Sequence, residues 1–171
     1  MTPAGDPLRA SYVIMGVSGC GKSSIGRALA GQLSLTFLDG DDLHPASNIA
    51  KMARGEPLRD EDRLPWLRII ASRLVPGTVV ACSALKRSYR DLLRESAPTP
   101  LTLLYLRGRR ETLIARMQRR EGHFMPTTLL DTQLAALEPP SPSECPVIAD
   151  IEDTQDAIVQ CLSRQIRSRQ L

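Results

Sequence analysis

The stretch Tyr12-Val13-Ile14-Met15-Gly16-Val17-Ser18-Gly19-Cys20-Gly21-Lys22-Ser23 decides how this chain is read. Tyr12 to Val17 has no polar break, which predicts a strand buried on both faces, as in a parallel sheet. Residues 22–33 then place Ile25, Leu29 and Leu33 at four-residue spacing, one apolar stripe of a helix. Between strand and helix stands a complete G-x-x-x-x-G-K-[ST] loop, Gly16 to Ser23. Its glycines let the backbone wrap around phosphate with several N–H groups pointing inward, and the helix adds the positive end of its dipole. Lys22 supplies a mobile point charge for the β- and γ-phosphates, and the Ser23 hydroxyl a magnesium ligand. The four fixed positions coincide by chance with a probability of about 10⁻⁵ per site in a chain of this composition. The pattern implies that the chain binds a nucleoside triphosphate through Gly16, Val17, Ser18, Gly19, Cys20, Gly21, Lys22, Ser23 and Ser24.

Outward from this loop, short apolar runs alternate with longer amphipathic ones, the pattern of an α/β fold with a parallel sheet covered on both sides. Strands are predicted at residues 35–38, 78–82, 101–106 and 147–149. Helices are predicted at 45–54, 62–75, 86–95, 109–120 and 127–138, with Pro65 making the start of the second uncertain. A last helix begins near Asp153 as its N-cap and carries Ile158, Leu162 and Ile166 on one face. No linker divides the 171 residues, which read as one domain. Ligands of such sheets bind at the carboxyl ends of the strands.

Composition excludes several classes. Hydrophobic residues at 42% and charged residues at 24% fit a globular chain rather than a disordered or fibrous one. Net charge is +3, too slight to argue for nucleic acid, although 19 of the basic residues are Arg and only 3 are Lys. Arg forms two-pronged contacts with phosphate and carboxylate, which suits anionic small ligands. Cys20, Cys82, Cys145 and Cys161 have neither C-x-x-C nor zinc spacing and read as reduced thiols of a cytoplasmic protein. MTPAGDPLRA lacks the apolar core of a signal peptide, and no apolar run reaches the length of a membrane span.

Two further segments carry chemistry. The second strand runs into Asp39-Gly40-Asp41-Asp42-Leu43-His44-Pro45, three carboxylates in four residues at the strand edge that faces the phosphate loop. One carboxylate there can orient magnesium water and another can accept the proton of an attacking hydroxyl. Asp42 reads as a helix cap, and His44 as a ligand contact rather than an incidental polar residue. The run Arg107, Arg109, Arg110, Arg116, Arg119, Arg120 lacks interleaved aromatics and contains Glu111, which argues against nucleic acid. With the break at Gly122–Pro126 behind it, the run reads as part of a lid, at about residues 116–138, bringing arginines onto the phosphates.

MGVSGCGKSS, FLDGDDLHPASNIAKMARGEPLRDEDRLPWL, CSALKRSYRDLLR and RREGHFMPTTLLDTQLAALEPP together resemble the gluconate kinases of the small P-loop type, over nearly the whole of Val13 to Asp150. The resemblance implies a three-layer P-loop kinase fold, a five-stranded parallel sheet of order 2-3-1-4-5, a lid, and ATP- and Mg²⁺-dependent phosphorylation of D-gluconate by cytoplasmic homodimers. It implies roles as well. Asp39 takes the magnesium side with Ser23, the more so because the third strand ends in Cys82-Ser83 without the usual Asp. Asp41 meets the acceptor hydroxyl as the catalytic base, beside Lys22 and Arg120. Arg63 anchors the substrate carboxylate, with His44, Lys86, Tyr89 and Arg90 as further substrate contacts. Arg116 and Arg120 are the lid arginines on ATP, Arg119 is an extra surface charge, and Trp66 is core. The alternatives are another small-molecule P-loop kinase such as shikimate kinase, or a nucleotide switch without an acceptor.

Overall fold

The computed structural model describes residues 6–119 and 127–169. Five strands, β1 (Ser11–Met15), β2 (Thr36–Asp39), β3 (Thr78–Ala81), β4 (Leu101–Arg107) and β5 (Val147–Asp150), form one sheet in the order β2-β3-β1-β4-β5. Every pairing is parallel, with Tyr12 opposite Val79 on one side and Thr102 on the other. All five residues of β1 are buried, as a central parallel strand with helices on both faces requires.

Alternation along β1 divides the core. Tyr12 and Ile14 join the cluster built with Ile25 and Leu29 of α1 (Lys22–Leu33) and with Ile158, Leu162 and Ile166 of α7 (Gln155–Ser168). Val13 and Met15 point the other way, onto Trp66, Leu67 and Ile70 of α3 (Asp60–Arg73) and Tyr89 and Leu93 of α4 (Arg87–Ser96). Among the described residues stand also α2 (Ala46–Ala53), α5 (Arg110–Gln118) and α6 (Thr127–Ala136).

The predicted elements are all present, with shifted ends. β1 stops at Met15 because Gly16 turns away at φ +147, where an added Cβ would lie 2.7 Å from Cys20 Sγ and 2.9 Å from the Leu106 carbonyl oxygen. α3 starts at Asp60, not 62, and holds Pro65 inside its second turn. The entry is secured where the Asp62 carboxylate accepts the Arg59 backbone N–H at 2.8 Å, and Asp60, Glu61 and Asp62 suit the positive helix end. α7 is capped by Thr154, not Asp153: its side chain accepts the Ala157 N–H at 3.2 Å. Nor does Asp42 cap a helix. Asp39 does, at the short 3₁₀ turn Gly40–Leu43 that precedes α2.

Candidate active site

The phosphate loop lies where β1 feeds α1, and its shape is glycine-dependent at Gly19 and Gly21, with φ of +84 and +92. Lys22 folds back over the loop, donating from Nζ to the carbonyls of Gly16 at 3.0 Å and Val17 at 3.1 Å. Cys20 is fully buried beneath it and Ser24, on the exposed side, donates to the Gly21 carbonyl at 3.3 Å. The Ser23 hydroxyl donates to Asp39 Oδ2 at 2.6 Å, so the end of β2 and the start of α1 bring together the two oxygen donors expected on the metal side. A hydroxyl and a carboxylate are hard donors of the kind magnesium takes, with its remaining positions left to water and phosphate.

Asp39 Oδ1 accepts the backbone N–H of Asp41 at 3.0 Å, so the same carboxylate also sets the direction of the next one. Gly40 between them packs so tightly on β3 that a Cβ would sit 2.4 Å from the Ala81 carbonyl oxygen. Its own carbonyl accepts the indole N–H of Trp66 at 2.7 Å. Trp66 is therefore more than core. It pins the acidic turn and stacks on His44 with ring centroids 4.2 Å apart and planes at 11°. The buried Asn48 amide lies 3.3 Å from His44 Nδ1 and donates to the Asp62 carbonyl at 2.9 Å, linking the turn to α3.

Asp41 opens to solvent at the mouth, but the wall behind it strips away water and Asp39 adds repulsion. Both effects raise its carboxyl above the usual aspartate range, outweighing the attraction of Lys22. Burial lowers the His44 imidazole, against the pull of Asp41.

Beyond His44, Arg63 Nη1 donates to Tyr89 Oη at 3.1 Å. Tyr89 donates in turn to Asp60, and Lys86 Nζ reaches both Asp60 oxygens at 3.1 and 3.2 Å. Arg63, Lys86 and Tyr89 thus form one patch on α3 and the start of α4. Asp60 belongs to it and escaped the sequence reading, because an acid in RDED reads as an ordinary first-turn residue. Bonds from Tyr89 and Lys86 hold its carboxyl below the usual range.

Arg90 belongs elsewhere. Only 1% of its side chain is exposed. Its Nε and Nη2 donate to Glu144 at 2.7 and 3.2 Å, and Nη1 to the carbonyls of Ala84 and Leu85 at 3.0 and 3.1 Å. The substrate contact expected of it is replaced by a scaffold role, since no donor edge faces the mouth. Glu144, also missed in the sequence, is the buried counter-ion. Burial pushes its carboxyl up, but Arg90 and the Ser141 N–H outweigh that and hold it at about 2.

The arginine run divides as well. Arg107, Arg109 and Arg110 pair with Asp150, Glu152 and Asp131. Arg116 donates to the Ile151 carbonyl, and its Nη1 would lie 3.7 Å from a Cβ placed on Gly21, beside the phosphate loop. Arg119 is exposed, and Arg120 with residues 121–126 lies outside the described residues.

Comparison with known proteins adds an independent line. A family model described as Shikimate kinase matches residues 18–165. The thermosensitive gluconokinase of Escherichia coli is 47% identical, covering 94% of this chain and 89% of that protein. The thermoresistant gluconokinase of the same organism is 45% identical over 86% of this chain and 88% of its own. Among solved structures, a gluconokinase from Sinorhizobium meliloti 1021 superposes with a TM-score of 0.88 at 47% identity, covering 95% of this chain and 94% of that one.

Proposed function

The chain belongs to the gluconokinase family, and we propose that it transfers the γ-phosphoryl group of ATP to the 6-hydroxyl of D-gluconate. The observation that carries the assignment is the meeting, at one sheet edge, of a phosphate loop, a paired Ser23–Asp39 donor set and an Asp41 carboxyl that shares His44 as a neighbour with the Arg63 patch. A nucleotide switch has no use for that patch.

ATP lies along the loop N–H groups with the α1 N-terminus behind its phosphates, and Lys22 leaves the Gly16 and Val17 carbonyls for the terminal phosphates. Ser23 and Asp39 would hold magnesium, which neutralises phosphate charge when bound. Arg116 reaches the phosphates from α5, and Arg120 is proposed beside it. Gluconate lies across the acidic turn with its carboxylate toward Arg63 and Lys86, Tyr89 and His44 along its length, and its far hydroxyl at Asp41. That hydroxyl oxygen attacks phosphorus, the bond to the ADP oxygen breaks, and the proton passes to Asp41. Excluding water from the closed site keeps hydrolysis from competing.

The four cysteines are unpaired, which fits a reducing compartment, and among the described residues no helix is long and apolar enough to cross a membrane. Cytoplasmic location and a homodimer complete the proposal.

ADP release measured across gluconate, shikimate, glucose, glycerate and nucleoside monophosphates tests acceptor choice. D-gluconate should stimulate turnover far above the rest; equal stimulation by shikimate or a nucleoside monophosphate would overturn it. Within that assay Arg63→Lys keeps charge but loses the fork held against Tyr89. The gluconate KM should rise about tenfold, the ~1.4 kcal/mol of one charge-assisted contact, with the ATP KM little changed. An unchanged gluconate KM would move the anchor to Lys86.

A further inference from the structure

The segment TTLLDTQLAALEPP spans residues 127–140, behind the phosphate loop and the acceptor side. In the structure two of its polar residues, Gln133 and Glu138, make contact with opposite halves of the site. Gln133 Oε1 accepts the Ser18 backbone N–H at 2.7 Å, and Gln133 Nε2 donates to Ser18 Oγ at 2.9 Å. The amide orientation follows from that N–H, which can only donate. Ser18 stands inside the phosphate loop. Five residues on, Glu138 accepts the Arg87 backbone N–H at 2.8 Å and donates its own N–H to the Leu85 carbonyl at 2.9 Å. Leu85 and Arg87 flank Lys86, on the acceptor side. Leu137, between these anchors, packs against both halves of the core.

We propose that Gln133 is a positioning residue for phosphoryl transfer, and that the end of α6 is a strut fixing the phosphate loop relative to the loop that carries Lys86. The inference rests on the kinase reading above. A side chain that holds both the main chain and the hydroxyl of one phosphate-loop residue leaves that residue one orientation. A helix end tied at the same time to the acceptor loop makes the two sites a single mechanical unit. Gluconate binding should then tighten nucleotide binding, and nucleotide should tighten gluconate by the same factor, as linkage requires.

The test uses the full chain with Gln133→Ala, Ser18→Ala and the double variant. The readouts are kcat, both KM values, melting temperature, and the Kd of a non-hydrolysable ATP analogue with and without gluconate. Gln133→Ala should lower kcat about tenfold, abolish the effect of gluconate on analogue binding and raise the gluconate KM at saturating ATP by the lost coupling factor, with the melting temperature nearly unchanged. Ser18→Ala, which keeps the N–H contact, should cost about threefold, and the double variant should be no worse than Gln133→Ala. Multiplying effects of the two single changes would overturn the pairing. A wild-type chain in which gluconate leaves analogue affinity unchanged would overturn the strut. Failure of the kinase reading looks different: the wild type would show no gluconate-dependent ADP release, while the Ser18–Gln133 pairing would still be read from analogue affinity alone.

Discussion

Asp41→Asn is expected to lower kcat by about 10²–10⁴-fold, the usual contribution of a positioned general base. The change preserves size and hydrogen bonding, and the Asp41 N–H that Asp39 accepts is untouched, so the turn keeps its shape. What is lost is the proton acceptor. The KM for ATP should stay close to wild type, because Asp41 is assigned to the acceptor. Asp39→Asn is expected to behave differently. It weakens the donor set shared with Ser23 and should raise the magnesium concentration needed for half-maximal rate. It also removes a repulsion that holds the Asp41 carboxyl up. Asp41 must be ionised to accept a proton, so wild-type kcat/KM, which reports the free enzyme, should fall on the acid side at a pH above the ordinary aspartate range. With Asp39→Asn the Asp41 pKa drops, and that limb should move to lower pH. Steady-state rates from acid to neutral pH at saturating magnesium check this. If Asp41→Asn chiefly weakens the magnesium response and Asp39→Asn does not, the two roles are exchanged.

The second large effect concerns stability. Arg90→Ala leaves the Glu144 carboxylate buried without its partner and strips the Ala84 and Leu85 carbonyls of a donor. Breaking a buried pair from one side costs about 3–5 kcal/mol, roughly 6–20 °C in melting temperature for a chain of this size. Arg90→Met with Glu144→Leu should recover part of the loss, since an apolar pair needs no charge desolvation. It should not recover all, because the Ser141 N–H and two carbonyls lose partners. The pH dependence has a definite sign. The Glu144 carboxyl is depressed to about 2, so its contribution is complete above the ordinary glutamate range and is lost as pH falls toward 2. Thermal unfolding followed by circular dichroism measures all three proteins. A melting temperature within 2 °C of wild type for Arg90→Ala would show that the Arg90–Glu144 pair does not hold the fold together.

The fold was largely legible in the sequence because its elements are marked by local signals. A strand buried on both faces shows as YVIMGV, and a helix on a sheet shows as a four-residue stripe such as Ile158, Leu162 and Ile166. Helix ends were less legible. Asp153 and Thr154 are both good caps, and only the turn of the chain selects the second. That Gly16 to Ser23 and Asp39 to His44 lie together at one sheet edge was readable for the same reason, since each is a contiguous motif beside a strand end. Residues whose meaning depends on a distant partner were not. Arg90 reads as a substrate contact because Glu144, 54 positions away, carries no mark of its partnership. Asp60 meets Tyr89 and Lys86 only when α3 packs on α4, and Trp66 finds the Gly40 carbonyl across 26 positions.

The central claim is that the chain transfers the γ-phosphoryl group of ATP to gluconate's terminal hydroxyl, the end far from its carboxylate. The measurement that reads this most directly is ³¹P and ¹³C NMR of the product formed from ATP and D-gluconate by the wild-type chain. The account predicts a single phosphate monoester at C6, formed in step with ADP. An ester at another carbon, or ADP released with free phosphate and unchanged gluconate, would contradict it.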